Sequence, residues 1–524
     1  MGDETTAGPS IEQLVEHDAT GMTLALWARH FPATPAVLSA DGDRTFAELN
    51  ANANRLARAL RAAGLSAGDS LALLCSNRPE FVEATLACGR IGLSYTPINW
   101  HLAPDEVAYI IEDCDAKAVV AEASFGDQTQ ALPQVVTVRL SVGGDIEGFG
   151  NYDDALSQQD GGDIDDPVIG TRMLYTSGTT GKPKGVAKPP TAAAAFRKAA
   201  SFSSARYQPG GQDVHLCTGP LYHAAPLAFS MLLPLAAGAT VSLMQKWDAR
   251  RTLELMTEQR ITHTHMVPTM FHRMLRLPEQ LRRELKPPAL RQIMHGAAAC
   301  PVHTKQAMMD WLGPVVWEYY AATEGAGSFV TPQEWLARPG TVGRPPTPDH
   351  VKILDDEGQP LPPGEIGTVY LKLVKGAEFH YHKSADKTAA SRHGESHYTL
   401  GDVGYLDEDG YLFLTDRSAN LIVSGGVNIY PAEVEAVLSQ HPAVLDVGVI
   451  GVPSEEWGES VKAAVELTDG IEGSEALASE LIELCRARLA HFKCPRSVDF
   501  VDTLPRHDNG KLYKRRLREQ YRQS

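Results

Sequence analysis

The sequence predicts an α/β fold: a large N-terminal domain of α/β layers with a small antiparallel, barrel-like part, then a small α+β C-terminal domain. Three observations carry this. Amphipathic helical segments alternate with short apolar runs over the first 300 residues, the pattern of stacked helices and strands. After about residue 335 strands come instead in pairs joined by turns. From about residue 417 helices and strands mix again, over a stretch long enough to fold on its own. The domains are therefore placed at 1–416 and 417–524.

The first element is a helix over residues 45–64. Thr45 and Glu48 form a capping box, Leu49, Leu56 and Leu60 line one face, and Gly64 is the stop. Residues 70–75 (SLALLC) read as a buried strand, 80–91 as a helix and 94–98 as a strand. Apolar strands recur at 117–122, 239–243 and 291–294. Residues 224–243 carry no charge over a membrane-spanning length, but Pro226, Pro234 and Gly238 interrupt them, so they read as a buried helix, a turn and a core strand. In the antiparallel part, 351–354 pairs with 368–373, and 404–406 with 411–414 across a turn ending in Asp409–Gly410. The C-terminal unit reads as strands at 421–423, 445–452 and 462–467, with helices at 431–439 and 474–489.

The chain has 524 residues, and 48 basic against 65 acidic side chains give a formal charge of −17. An acidic surface argues against nucleic acid as a partner. Any anionic ligand must then be held by local cations and backbone N–H groups. The seven cysteines are odd in number and contain no CxxC pair, which points away from a disulfide framework or zinc site and toward a reducing compartment. The start, MGDETTAGPS, lacks the basic and apolar regions of a secretory signal, and no transmembrane segment is predicted. The expected location is cytoplasmic. Oligomeric state is not readable from the sequence.

The chemistry concentrates in Leu174–Gly185, LYTSGTTGKPKG. Thr176, Ser177, Gly178, Thr179, Thr180 and Gly181 follow a strand-like lead. Glycines let such a loop curl until several N–H groups converge on an anion, and hydroxyls with Lys182 and Lys184 reinforce it. It is not a Walker A loop, because Pro183 follows Lys182 where that motif starts a helix.

This segment closely resembles the phosphate loop of the adenylate-forming superfamily, which contains acyl-CoA synthetases, firefly luciferase and the adenylation domains of nonribosomal peptide synthetases. Other family signatures follow in order. Tyr222–His223 matches the aromatic or His step beside the carboxylate pocket. His295–Gly296–Ala297–Ala298–Ala299 is similar to the turn beside the acyl pocket, with Ala297 and Ala299 replacing the usual Gly and Pro. Tyr319–Tyr320–Ala321–Ala322–Thr323–Glu324 resembles G-Y-G-x-T-E, with Tyr319 and Ala321 in place of glycines. Gly401–Asp402 and Arg417 match the ribose-binding steps, Ser424–Gly425–Gly426 opens a G-G-x-N-I-Y-P hairpin, and Lys511 ends P-R-x-x-x-G-K.

The resemblance implies that ATP, Mg²⁺ and coenzyme A are used. Lys511 would be the catalytic lysine, Thr323 would contact the α-phosphate, and Glu324 with Thr176 would ligate Mg²⁺. The loop residues 176–181 and Lys184 would hold phosphate, Tyr319 and Tyr320 would flank adenine, and Asp402 and Arg417 would reach the ribose. Ser424, Gly425 and Gly426 would approach the pantetheine thiol, and Tyr222, His223, Ala297, Ala298 and Ala321 would line the acid pocket. It also implies a mobile C-terminal domain that rotates between two half-reactions, with Ala419 at the usual hinge position. The activity so implied is an AMP-forming acyl-CoA synthetase acting on a fatty, aromatic or other hydrophobic acid. Amino-acid adenylation is disfavoured because Y-H-A-A-P offers no acid to pair an ammonium. A luciferase-like oxygenase stays open, and a non-catalytic nucleotide-binding protein would not need Glu324, Asp402, Arg417 and Lys511 together. Which acid is used, and whether the thiol belongs to free CoA or a carrier protein, the sequence leaves open.

Overall fold

A computed structural model describes residues 8–176, 183–189, 207–417, 420–424, 427–454, 456–506 and 510–522. Among these residues, two mainly parallel sheets form the bulk of the N-terminal part. The first has six strands, in the order Gly150–Asn151, Val138–Val142, Ala116–Glu122, Ser70–Leu74, Ser94–Pro97 and Thr171–Arg172, all parallel. The second has eight, in the order Ala326–Val330, Val316–Ala321, Gln292–His295, His263–Met266, Val214–Cys217, Thr240–Leu243, Pro35–Leu38 and Arg44–Thr45. Its interior pairs are parallel and only its two edge pairs are antiparallel. Every residue of Ser70–Leu74, Thr240–Leu243 and Gln292–His295 is buried, as expected of parallel strands covered on both faces.

Helices pack between and around these sheets. Phe46–Ala62 starts where the capping box predicts: Thr45 Oγ1 accepts from the Glu48 N–H at 3.2 Å, and Glu48 Oε2 accepts from the Thr45 N–H at 2.9 Å. Its apolar face (Leu49, Leu56, Leu60) joins one core with Leu71, Leu73, Phe81, Val82, Cys217, Leu221 and Val241, so residues of both sheets share it. Thr45→Ala should cost about 1 kcal/mol of stability by stranding the first-turn N–H groups, read as a lowered urea midpoint.

The uncharged segment at 224–243 becomes a π-helix at Pro226–Leu232, a short α-helix at Leu233–Ala236, a turn at Gly238 and the strand Thr240–Leu243. None of the described helices is long and apolar enough to cross a membrane.

The antiparallel part forms a curled sheet of Val351–Leu354, Gly367–Lys372, His397–Leu406 and Leu412–Arg417, with Arg392–His393 at one end. The third strand begins seven residues earlier than the sequence pattern suggests, because polar residues at 397–402 carry ladder hydrogen bonds as well as apolar ones. A separate sheet follows, built from Val444–Ser454, Gly458–Leu467, Ile422–Ser424, Val427–Ile429 and Ser497–Val501. It has its own core with the helices Pro431–Leu438 and Glu475–Arg486.

Candidate active site

A cavity of about 840 Å³ opens where the two parallel sheets, the curled sheet and the C-terminal unit meet. It lies beyond the carboxyl ends of the parallel strands: Thr218, Val267 and Ala297 line it, each just past the end of a strand of the eight-stranded sheet. Open α/β sheets bind ligands at such ends.

One end gathers oxygen donors and ammonium groups. Thr176 ends the strand Leu174–Thr176 and pairs in register with Lys184 of Lys184–Ala187, and both line the cavity. Ser177, Gly178, Thr179, Thr180 and Gly181 lie outside the described residues. Thr323 and Glu324 sit in the turn joining Val316–Ala321 to Ala326–Val330, closed by the Ala322 N–H donating to Gly325 O at 2.7 Å. Glu324 is only 8% exposed and accepts from Tyr381 Oη at 2.9 Å. Lys184 Nζ stands 5.1 Å from the centre of the same tyrosine ring. Burial raises the Tyr381 phenol and the nearby Glu324 carboxylate adds to it, so the group stays protonated and donates. Burial and Lys387 lower the Lys184 ammonium, against the pull of Glu324.

Strand alternation separates the two tyrosines that the sequence places together beside adenine. Tyr320 Oη donates to Asp402 Oδ2 at 2.7 Å, and Asp402 and Arg417 are in-register partners across two strands of the curled sheet. The cavity wall beside them is made by Thr399 and Leu400. Tyr319 points to the opposite face, where its hydroxyl lies 2.9 Å from His265 Nε2. It therefore meets the acid end of the cavity and takes no part in the Asp402 contact.

At that end Tyr222 and His223 line the wall with ring centres 4.5 Å apart, and Trp100 meets Tyr222 edge-on at 4.5 Å. Ala297 and Ala321 also line it, and Ala298 does not. Ala297 has φ +67°, a left-handed conformation that glycine adopts without strain.

Lys511 lines the cavity from the C-terminal unit. Ser424 does not: it pairs with Gly458 in the C-terminal sheet, and Gly425 and Gly426 lie outside the described residues. Among the described residues, the structure thus brings Lys511 to the cavity but not Ser424 or Val427–Ile429.

Among the lining residues that escape sequence reasoning are Tyr381, Tyr398, His265, Arg172 and Lys188. Tyr381, in His380–Tyr381 paired with Lys184–Ala187, and Tyr398, in His397–Leu406 of the curled sheet, converge on the Glu324 turn, Tyr398 over Gly325. Burial and Arg172 push the Lys188 ammonium down to about 8, with Glu324 acting the other way. Two basic residues flanking the phosphate loop, one before and one after, were the available signal.

The profile of the AMP-binding enzyme family matches residues 24–376, and that of the AMP-binding enzyme C-terminal domain matches residues 433–511. The chain is 32% identical over 522 residues to the fatty acid–[acyl-carrier-protein] ligase ScoC of Streptomyces coeruleorubidus, covering 98% of this chain and 97% of that one. It is 31% identical over 510 residues to an indoleacetate–CoA ligase of Aromatoleum aromaticum, covering 95% and 98%. Its fold is similar to the crystal structure of the anthranilate CoA ligase AuaEII in complex with anthranoyl-AMP, with a TM-score of 0.84, 26% identity, and 95% and 97% of the two chains covered.

Proposed function

The chain belongs to the AMP-binding enzyme family, and from that premise we propose that it is an AMP-forming acid–thiol ligase, an ATP-dependent acyl-CoA synthetase. The observation that carries this reading is the convergence of Thr176, Lys184, Thr323, Glu324, His223 and Lys511 on one cavity, from four parts of the fold.

A carboxylate is a poor electrophile because its carbon shares negative charge. In the first half-reaction a carboxylate oxygen of the acid bonds to the α-phosphorus of ATP, and the bond to the bridging oxygen breaks as pyrophosphate leaves. Two anions must meet, so neutralising charge dominates the barrier. Lys511 and Lys184 supply fixed positive charge, Thr176 and Thr323 supply hydroxyl donors, and the loop 177–181 is assigned the backbone N–H groups. Glu324 and Thr176 suit Mg²⁺, a hard cation held by few protein oxygens together with nucleotide phosphates; when bound it would screen the phosphate charge. Tyr381 fixes the rotamer of Glu324 through its 2.9 Å hydrogen bond. Asp402 and Arg417 are assigned to the ribose and Tyr320 orients Asp402, while Tyr222, His223, Ala297 and Ala321 take the acid.

In the second half-reaction a thiol sulfur bonds to the acyl carbon and the bond to AMP breaks. We place the boundary between the two domains at 416/417. The C-terminal domain then rotates about residues near Ala419, withdrawing Lys511 and bringing in Ser424, Gly425 and Gly426. The relatives suggest two acceptors, CoA and a carrier protein; the CoA ligases among them favour CoA.

Pyrophosphate exchange into ATP should require an organic acid but no thiol, whereas steady AMP release should require acid and CoA together. Protein that consumes no ATP with any organic acid offered would overturn the reading. AMP release supported by a phosphopantetheinylated carrier protein and not by CoA would replace the acceptor.

A further inference from the structure

The side chains around Tyr319 form an interlocked aromatic floor. Tyr319 lies in the strand Val316–Ala321, beside the end of the parallel strand Gln292–His295. Its ring covers Gly296 so closely that a Cβ there would come within 2.6 Å of Cζ. The ring is 4% exposed, yet its edge lines the cavity. Tyr319 Oη and His265 Nε2 are 2.9 Å apart. Burial and the nearby His295 push the pKa of His265, itself 1% exposed, down to about 3, so its imidazole is neutral and one ring nitrogen can accept the phenol proton. Phe229, from the π-helix, stacks on His265 at 5.8 Å and 9° and leans on Tyr319 at 4.7 Å. Phe329 approaches from the next strand at 6.3 Å. A ring held by a buried hydrogen bond and by neighbours on both sides cannot swing aside without losing both sets of contacts.

We propose that Tyr319, pinned by His265 and Phe229, is the floor of the acid pocket and restricts the substrate to compact acids, planar aromatic monocarboxylates above all, at the expense of long straight-chain acids. The proposal rests on the acid-activating reading above and deepens it. An aromatic acid can meet the cavity-facing edge of Tyr319 edge-to-face and pack beside the Phe229 and Phe329 rings, which also line the cavity. A long alkyl chain entering past His223 would have to displace the Tyr319 ring from Gly296. Tyr319 also stands where the resembling motif has glycine, so the bulk is a property of this chain.

The test measures kcat/KM for AMP release with ATP and CoA across benzoate, a hydroxycinnamate and straight-chain acids of increasing length. The wild-type protein should favour the aromatic acids over dodecanoate by at least about tenfold, in the range that a pocket of fixed size discriminates by a few methylenes. Tyr319→Gly should narrow or reverse that ratio by tenfold or more, and Tyr319→Leu, which keeps an apolar side chain for folding, should shift it the same way. Tyr319→Phe should keep the preference, because the bulk remains. Wild-type preference for dodecanoate, or an unchanged ratio in both folded Gly and Leu variants, overturns the floor while leaving acid activation intact. AMP release with no acid at all overturns the activity and the floor together.

Discussion

Lys511→Ala is expected to lower acid-dependent ATP–pyrophosphate exchange by about 10²–10³-fold, the usual cost of removing one preorganised donor from a developing charge. Thioester formation from supplied acyl adenylate should be largely spared. The expectation follows from how the residue is held. Arg506 pairs with Asp446 through Nε and Nη2, at 2.5 and 2.6 Å, and its Nη1 donates to Gly510 O at 2.6 Å. Gly510 has φ +78°, and a side chain there would collide with Thr269 Oγ1 and crowd Val267. The backbone just before Lys511 is thus fixed on one side by an ion pair of the C-terminal unit. On the other it packs against the N-terminal wall of the cavity. A mobile surface lysine has no need of such support. Exchange that stays within tenfold of wild type would remove Lys511 from the reaction.

The same contact suggests why two assays should separate. Arg276, at the end of the helix Pro268–Leu275, donates to Thr468 Oγ1 at 2.6 Å and to Val444 O across the junction with the C-terminal unit. These contacts form while Lys511 lines the cavity and Ser424 does not, the arrangement suited to the first half-reaction. On the mechanism proposed above the thiol step uses the hairpin instead, so a loss at Lys511 should leave it standing.

Much of this was legible in the sequence because local chemistry dictated it. Thr45 and Glu48 announce a helix start through a reciprocal hydrogen bond within four residues. The turn signal at Asp409–Gly410 likewise marks a hairpin: Gly410 has φ +79°, and the Asp407 N–H donates to Tyr411 O at 2.9 Å. Strand order was not legible, since buried parallel strands read as uniform apolar runs and pair with partners far along the chain. Val37, for example, pairs with Val241. In the site, motif residues with a fixed local geometry were readable, and supporting residues from distant strands were not. Tyr381 reaches Glu324 from 57 positions away. The opposite directions of Tyr319 and Tyr320 follow from the two-residue period of a strand, so that distinction was available once 316–321 was read as extended.

The buried charges beneath the Tyr319 floor give the largest expected change in stability. Lys305, on the helix Val302–Leu312, donates to Glu318 Oε2 at 2.7 Å, and His295 Nε2 lies 3.4 Å from the same oxygen. The Lys305 and His295 side chains are fully buried and that of Glu318 is 7% exposed. Lys305 also stands 4.8 Å from the Trp335 ring. Burial alone would raise the Glu318 carboxyl, but His295 and Lys305 hold it below its usual range. Removing the ammonium leaves a carboxylate in an apolar site, a change that typically costs about 3–5 kcal/mol. Lys305→Met should therefore be strongly destabilised at pH 7.5. With its ammonium partner gone, the Glu318 carboxyl moves above its unfolded value. Below that unfolded value, about 4.3, Glu318 is protonated in both states and the penalty vanishes. As pH rises through this region the penalty grows, and it levels off above the raised folded value. In wild type the sign is opposite: the depressed carboxyl contributes stability above the unfolded value, which is lost as pH falls through the folded one. Both trends shrink the gap between variant and wild type in acid. Urea midpoints at pH 7.5 and 4.5 should show this narrowing, and Lys305→Met with Glu318→Gln should recover most of the loss at pH 7.5. A deficit that is equal at the two pH values, or that the second substitution fails to relieve, would mean that lost packing against Trp335 sets the cost and the stranded charge does not.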